Sequence, residues 1–323
     1  MTGRSIEVAR PGALTTIQDC GRPGYAHMGV PRSGALDAPA HHRANELVGN
    51  PPDAAVLETT LTGVAVTARC PVTVAVTGAH AAVRVDGAPA DRDAAIILAA
   101  GQTLDVGPAR PGVRSYVAFS GGLQVPPVLG SASTDLLSGL GPARLAAGQV
   151  LDLGDPAAAA VPAAGPGGPA APGRAAEPGR PAAQAARAYC ALAGVPAAAV
   201  PGDQAELLIH LGPRDDWLSE AGLAALREGT WTVSPQSNRV ALRLAGGAPP
   251  RGRSGELASE GLVAGAIEAL PDGHLVLFLA DHPTTGGYPV IAVVDPGSLP
   301  VCAQARPGLT ITFRIVLAPE TEA

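Results

Sequence analysis

Lysine is missing from this chain of 323 residues: every one of its 22 basic residues is arginine. That absence removes Schiff-base chemistry on a lysine, the lysine of a phosphate-cradling P-loop, and a lysine carrying biotin or lipoate. A carrier group, where the chemistry needs one, has to arrive on another polypeptide. Cysteine is scarce as well. Cys20, Cys70, Cys190 and Cys302 include no C-x-x-C and no pair at metal-ligand spacing, which argues against a zinc site. With a formal net charge of −6 there is no basic surplus of the kind a nucleic-acid binder shows. No apolar run approaches the roughly 20 residues needed to cross a bilayer, and the segment MTGRSIEVAR lacks the apolar core of a secretory signal. The expectation is a cytoplasmic protein with reduced thiols, acting neither on nucleic acid nor in a membrane. A G-x-S-x-G elbow, an H-E-x-x-H pair and a cysteine with an evident histidine partner are also missing, so nothing spells a nucleophilic hydrolase.

What is present is β-strand grammar. Short runs rich in Val, Ile, Leu and Thr, broken by Gly, Pro and Asp, fill both halves: Val72–Thr77, Val83–Asp86, Ile96–Ala99 and Val113–Ser120 in the first. In the second, Leu207, Ile209 and Leu211 alternate with Glu206, Leu208 and His210, while Ile311, Phe313 and Ile315 alternate with Thr312 and Arg314, the latter pattern predicting a half-buried strand. Between them, residues 156–187 are dominated by Ala, Pro and Gly, with too few large apolar side chains to bury, and read as a linker. The expected division is therefore an amino-terminal β lobe over 1–155, that linker, and a carboxy-terminal lobe over 188–323. Helices are few. Asp37 caps one that runs past His41 and Asn45 to Val48, with Pro39 in its first turn and Gly49 closing it; a second is expected from Asp216 to Arg227, burying Trp217, Leu218, Ala221 and Ala225. LAAGQTLDVG at Leu98–Gly107 and LAAGQVLDLG at Leu145–Gly154 repeat one turn-then-strand phrase without a third copy.

Two blocks concentrate chemistry. From Leu275 to Gln304 an apolar run too short for a helix ends in Asp281, His282, Thr284, Thr285, Gly286 and Gly287, a polar corner whose glycines let backbone N–H groups approach a ligand. From Gln18 to Asn50, Gln18, Asp19, Arg22, Arg32, Asp37 and Asn45 alternate with glycines. An Asp19–Arg22 ion pair pinning a hairpin is one reading; an arginine fork gripping a carboxylate, phosphate or bicarbonate is the other. Glu58 is either an exposed strand residue or a carboxylate on the floor of a site. Ser120-Gly121-Gly122 and Gly130-Ser131 are weaker candidates for an anion cradle. His210 reads as a packed strand histidine, whereas His282 is placed to handle protons near neutrality.

Taken together with SASTD near Ser131, SPQSNRVALRL at Ser234–Leu244 and SEGLVAGAIEALPDG at Ser259–Gly273, these blocks resemble the biotin-dependent carboxyltransferase family, which includes the 5-oxoprolinase C-type subunit, allophanate hydrolase subunit 2 and the antagonist of the sporulation-kinase inhibitor. The motifs are QD-x-GR-x-G, SGALD, AN-x-LVGN and TTGGYP. The resemblance implies a mainly β fold with a few helices, in two cyclophilin-like β-barrel lobes. It implies a subunit-B-like partner in a heterotetramer, a further large A-type subunit, and ATP-dependent opening of the lactam of 5-oxoproline to glutamate, with ATP bound by the complex if not by this chain and no biotin attached here. Carboxyl transfer to urea or a related substrate, and a non-enzymatic antagonist of a kinase inhibitor, are the alternatives. Gln18, Asp19, Arg22, Asn45, Glu58, Asp281, Thr285, Gly286, Gly287, Tyr288 and Gln304 stand at motif positions. On this reading Asp19, Asp281 and His282 handle protons; Gln18, Arg22, Asn45, Glu58, Arg239, Thr285, Gly286, Gly287, Tyr288 and Gln304 hold substrate or anion; no metal is involved. Asn238 replaces an aspartate, Glu268 a glutamine, and His282 an arginine of the usual pattern.

Overall fold

The computed structural model describes residues 3–156, 200–247, 249–253, 255 and 257–316, so all of the expected linker except residue 156 lies outside the described residues. Strands dominate. In the amino half they are β1 (Ser5–Arg10), β2 (Leu14–Gln18), β3 (Val56–Thr60), β4 (Val64–Ala68), β5 (Val72–Gly78), β6 (Val83–Val85), β7 (Ala88–Ala90), β8 (Ala95–Leu98), β9 (Thr103–Val106), β10 (Arg114–Phe119), β11 (Leu123–Gln124) and β12 (Val150–Leu153). They form a seven-stranded sheet, β11-β12-β1-β4-β9-β6-β7, and a five-stranded one, β2-β3-β10-β5-β8. Side chains of both, among them Ile6, Val8, Val66, Leu104, Leu57, Val74, Val117 and Phe119, share one core. The helix α1 (Ala38–Leu47) covers the opposite face of the five-stranded sheet, where Ala40 and Ala44 meet Val56, Tyr116 and Ala118. Strand β10 is thus buried on both faces, its polar members Arg114, Ser115 and Tyr116 included.

The two LAAGQ phrases occupy equivalent places on either side of the β1–β4 pair. Gly101 and Gly148 both take positive φ, 89° and 78°, and the amides of Ala99 and Ala146 both donate to the glutamine three residues on, Gln102 and Gln149. Each turn then delivers a strand, β9 against β4 and β12 against β1.

The carboxy half comprises β13 (Gln204–Leu211), β14 (Trp231–Val233), β15 (Ala241–Gly246), β16 (Glu260–Gly261), β17 (Ala266–Ala269), β18 (Leu275–Phe278), β19 (Thr285–Gly286), β20 (Val290–Val294) and β21 (Thr310–Ile315). Seven of these close a barrel, β13-β20-β17-β18-β15-β14-β21, sealed by parallel pairing of β13 with β21; β16 and β19 form a small two-stranded antiparallel sheet of their own. The barrel interior holds Leu207, Ile209, Trp231, Leu244, Ile267, Leu277, Ile291 and Phe313. Beyond β20, a short helix over Leu299–Ala303 runs directly into Gln304.

Several expectations need correction. The helix expected over Asp216–Arg227 is broken: a 3₁₀ turn at Asp215–Trp217 is followed by α2 (Glu220–Glu228), because the Ser219 hydroxyl accepts from the Gly222 amide and starts a new helix. The later start rotates the buried face to Gly222 and Leu226, leaving Ala221 exposed. His210 is not packed; strand alternation turns it outward, where it pairs with Asp295 at 3.0 Å. Cys20 is disulfide-bonded rather than reduced, whereas Cys70 and Cys302 are free and burial pushes the Cys302 thiol up to about 12. Among the described residues no helix is long and apolar enough to cross a membrane.

Candidate functional site

The two polar blocks meet on a seam between the lobes. Asp281, just past β18, accepts from Nε and Nη2 of Arg239 at 2.9 Å each, from the Ser33 hydroxyl at 2.7 Å and from the Leu136 amide at 3.1 Å. Arg239 reaches back across the seam, donating through Nη1 to Glu58 and through Nη2 to the Gly34 carbonyl at 2.7 Å. Glu58 also accepts from the Tyr116 hydroxyl at 2.8 Å and the Leu36 amide at 3.1 Å. That hydroxyl accepts from the Asp37 amide, and Asp37 caps α1 through Ala40 while accepting from Gln304 Nε2 at 2.8 Å. Gln304 Oε1 in turn takes the amides of Val113 and Arg114, both at 3.0 Å. The chain of contacts passes from one lobe to the other and back, and none of its ionisable members is more than 3% exposed.

Burial and charge pull these groups in opposite directions. Burial opposes the charge of Arg239, but Asp281 and Glu58 outweigh it and raise its pKa further. Arg114 has less compensation and is lowered by burial. Burial, helped by the Glu58 charge, holds Tyr116 well above the usual phenol range, so it stays a donor. Burial also brings Asp37 up to about 6.

Asp19 and Arg22 do not form the hairpin ion pair that spacing allows. Asp19 is caged instead: Oδ1 accepts from the Gly21 amide at 2.7 Å and the hydroxyls of Ser131 and Ser133 at 2.6 and 2.5 Å, and Oδ2 from the Ala132 amide at 2.6 Å. Arg22, 1% exposed, donates to the carbonyls of Val128 and Ser133, yet its Nη1 has no hydrogen-bond partner. Burial lowers its pKa against the pull of Asp19, Asp135 and Asp281. Gln18 donates to Thr134 and Thr16, leaving Oε1 without a partner. The Thr134 carbonyl also receives the Ser33 hydroxyl, so this loop ties Gln18, Arg22 and Asp281 into one neighbourhood. Ser33 holds φ at 54°, an unusual value for a residue with a side chain, where both lobes grip it.

The late corner lies at the edge of the seam. The ring of His282 is buried with Nδ1 2.7 Å from the Pro283 carbonyl; a carbonyl only accepts, so Nδ1 carries the proton and Nε2 the lone pair. Burial lowers its pKa, keeping the imidazole neutral near pH 7. Thr285, Gly287 and Tyr288 are exposed and Gly286 is half-buried. Glu268 lies directly beneath Gly286.

Other candidates fall elsewhere. Asn45 serves the end of α1, donating to the Ala54 carbonyl and accepting from Asn50, beside His41, which contacts the same carbonyl. The Ser120-Gly121-Gly122 cradle is filled: Gly121 donates to Asn50, Gly122 to Phe119, and a side chain on Gly121 would strike the Gly154 carbonyl. Cys20, His41 and His42 bring potential ligand atoms within 4.8 Å of one another, a grouping their sequence spacing does not announce, but the sulfur is held in its disulfide. Tyr116 and Arg114 belong to the seam without having been singled out in the sequence, and Ser33 and Asp135 join it from within the motifs SGALD and SASTD. The available signal was polar residues inside the otherwise apolar strand RSYVAF, since a buried polar group needs a partner.

A family model for the carboxyltransferase domain, subdomains A and B, matches residues 28–315. The chain belongs to that family. Across 308 residues this carboxyltransferase-domain protein is 34% identical to the 5-oxoprolinase C-type subunit of Escherichia coli K12, covering 95% of this chain and 90% of that one. It is 30% identical to urea amidolyase of Saccharomyces cerevisiae, covering 96% of this chain but 16% of that much longer protein. The crystal structure of Kluyveromyces lactis urea carboxylase superposes with a TM-score of 0.81 at 29% identity, over 97% of this chain and 27% of that one. The mainly β architecture expected from the motifs agrees with these relatives.

Proposed function

We propose that this chain is one component of an ATP-dependent 5-oxoprolinase, opening the cyclic amide of 5-oxoproline to glutamate with subunit-B-like and large A-type partners. The observation that carries the reading is the nearly end-to-end match to the 5-oxoprolinase C-type subunit, where the urea amidolyase match spans 16% of its relative. An unstrained lactam is a poor electrophile. Transferring phosphate to its oxygen needs donors that hold negative charge and a group that moves a proton, rather than a nucleophilic side chain. Arg22 Nη1 is a buried donor with capacity to spare, and His282 Nε2 is the free base of a neutral imidazole. Asp19, Asp281, Glu58, Arg239, Gln18 and Gln304 hold the loops that bring these two groups to the same seam, while Thr285, Gly286, Gly287 and Tyr288 offer the exposed approach.

The assembled complex, purified with its partners, is expected to release glutamate from 5-oxoproline only with ATP. The same complex carrying Arg22→Met or His282→Ala should fold and assemble but lose at least tenfold in rate. Wild-type complex that hydrolyses ATP without releasing glutamate would overturn the proposal. The second reading, carboxyl transfer to a urea-like acceptor, draws on the likeness to the Kluyveromyces lactis enzyme. Because the chain has no lysine, it requires a separate biotinylated carrier. Transfer of label from such a carrier to urea distinguishes it.

A further inference from the structure

Strand β17 presents Ile267 and Ala269 to the barrel interior and Ala266 and Glu268 to its outer face. On that outer face Glu268 stands between its cross-strand partners Val276 on β18 and Val290 on β20, within an apolar patch that includes Leu262 and Phe278. The patch is covered by the two-stranded sheet of β16 and β19, which is held by two residue pairs, Glu260 with Gly286 and Gly261 with Thr285, and by the Leu262 amide on the Thr284 carbonyl at 2.9 Å. Glu268 is 3% exposed. Its carboxyl receives the Tyr288 amide, but Oε1 has no partner, and among the described residues it is the only carboxylate oxygen buried in that condition. It is pressed against the cover: a Cβ built on Gly286 would meet Oε1 and the end of Leu262.

No charge compensates this carboxyl. Strands β18, β19 and β20 contribute no ionisable side chain. Glu260 of β16 is taken by Arg214, Arg243 of β15 points to solvent, and His274 pairs with Asp272 beyond the end of β17. His282, its ring 6.5 Å from that of Phe278, is itself kept neutral by burial. Burial accordingly moves Glu268 up to about 6, with the Tyr288 amide alone pulling the other way.

We propose that Glu268 is a proton-operated latch beneath the β16–β19 sheet: the neutral acid lets the cover close on the apolar patch, and the carboxylate lifts the Thr284–Tyr288 side to reach water. Its effect on ligand entry rests on the assignment of that corner in the preceding section; the latch itself does not.

Hydrogen exchange on the full chain, corrected for the intrinsic pH dependence of amide exchange, reads the β16–β19 sheet directly and needs no activity. With the group at about 6 closed and at its ordinary 4.5 open, opening of the wild-type cover should increase roughly 20-fold between pH 4 and pH 7.5, seen as lost protection at residues 260–263 and 284–288. Glu268→Gln should abolish that dependence. Unchanged protection of β13 and β21 in that variant checks the fold. Equal corrected protection at the two pH values in wild type, or an undiminished pH response in Glu268→Gln, overturns the latch. Failure of lactam cleavage alone would leave these exchange rates as expected and bear only on the proposed function.

Discussion

Glu58 and Asp281 on the seam are as deeply buried as Glu268 under the β16–β19 sheet, all three at 3% exposure or less, yet their surroundings have little in common. The seam carboxylates meet an arginine, hydroxyls and backbone amides, so nearly every oxygen lone pair has a donor. Glu268 meets one amide and a ring of valine, leucine and phenylalanine. Burial therefore does not decide what a carboxylate does. A matched one fixes two bodies together, and an unmatched one makes the piece above it sensitive to protons.

The sharpest way to break this contrast is Arg239→Met. It should strand Glu58 and Asp281 as unpaired buried charges and cost about 3–5 kcal/mol, lowering the unfolding midpoint by on the order of 10 °C in a thermal melt. A loss under about 1 kcal/mol would mean the seam is not what joins the lobes. Gln304→Leu comes next. It removes an acceptor for two amides and a donor to Asp37, and should cost about 3 kcal/mol in urea unfolding.

The pH dependence of stability has a definite sign at Glu268. Because its folded pKa is raised from 4.5 to about 6, its contribution is fully present below 4.5 and is lost as pH rises through 6, about 2 kcal/mol in all. The stability change between pH 4 and 7.5, from urea titrations, should differ by that amount between wild type and Glu268→Gln. Ser33→Ala, which removes a donor to Asp281 and the Thr134 carbonyl, should cost about 1.5 kcal/mol. Arg314→Ala, breaking an exposed pair with Glu206, should change stability by less than about 0.5 kcal/mol and serves as the floor of the series.

Much of the fold was legible because strand periodicity is local. The alternation at Leu207–Ile209 and Ile311–Phe313, the cap at Asp37 and the doubled LAAGQ turn all depend on neighbours within a few residues, and each is found where it was expected. The helix after Asp216 misled because the competing cap, Ser219, lies inside the apolar stripe it interrupts. At the seam, sequence marked Arg22, Glu58, Arg239, Asp281 and Gln304 as unusual but could not separate gripping a ligand from gripping the other lobe. That distinction depends on contacts between residues as far apart as Asp37 and Gln304, which no local pattern encodes. Tyr116 and Arg114 stay silent in the sequence for the same reason: inside an apolar strand their polar ends have meaning only once a partner from elsewhere is in view.

The parallel pairing of β13 with β21 has a consequence for the order in which the molecule is completed during synthesis. The barrel stays an open sheet until β21 leaves the ribosome, because no earlier strand fills that edge. The first-made lobe must wait as well, holding Glu58 and Asp37 without Arg239 and Gln304 while the intervening chain is translated. A nascent chain arrested before β21 should accordingly be captured by chaperones even though every strand of its first lobe has already been made.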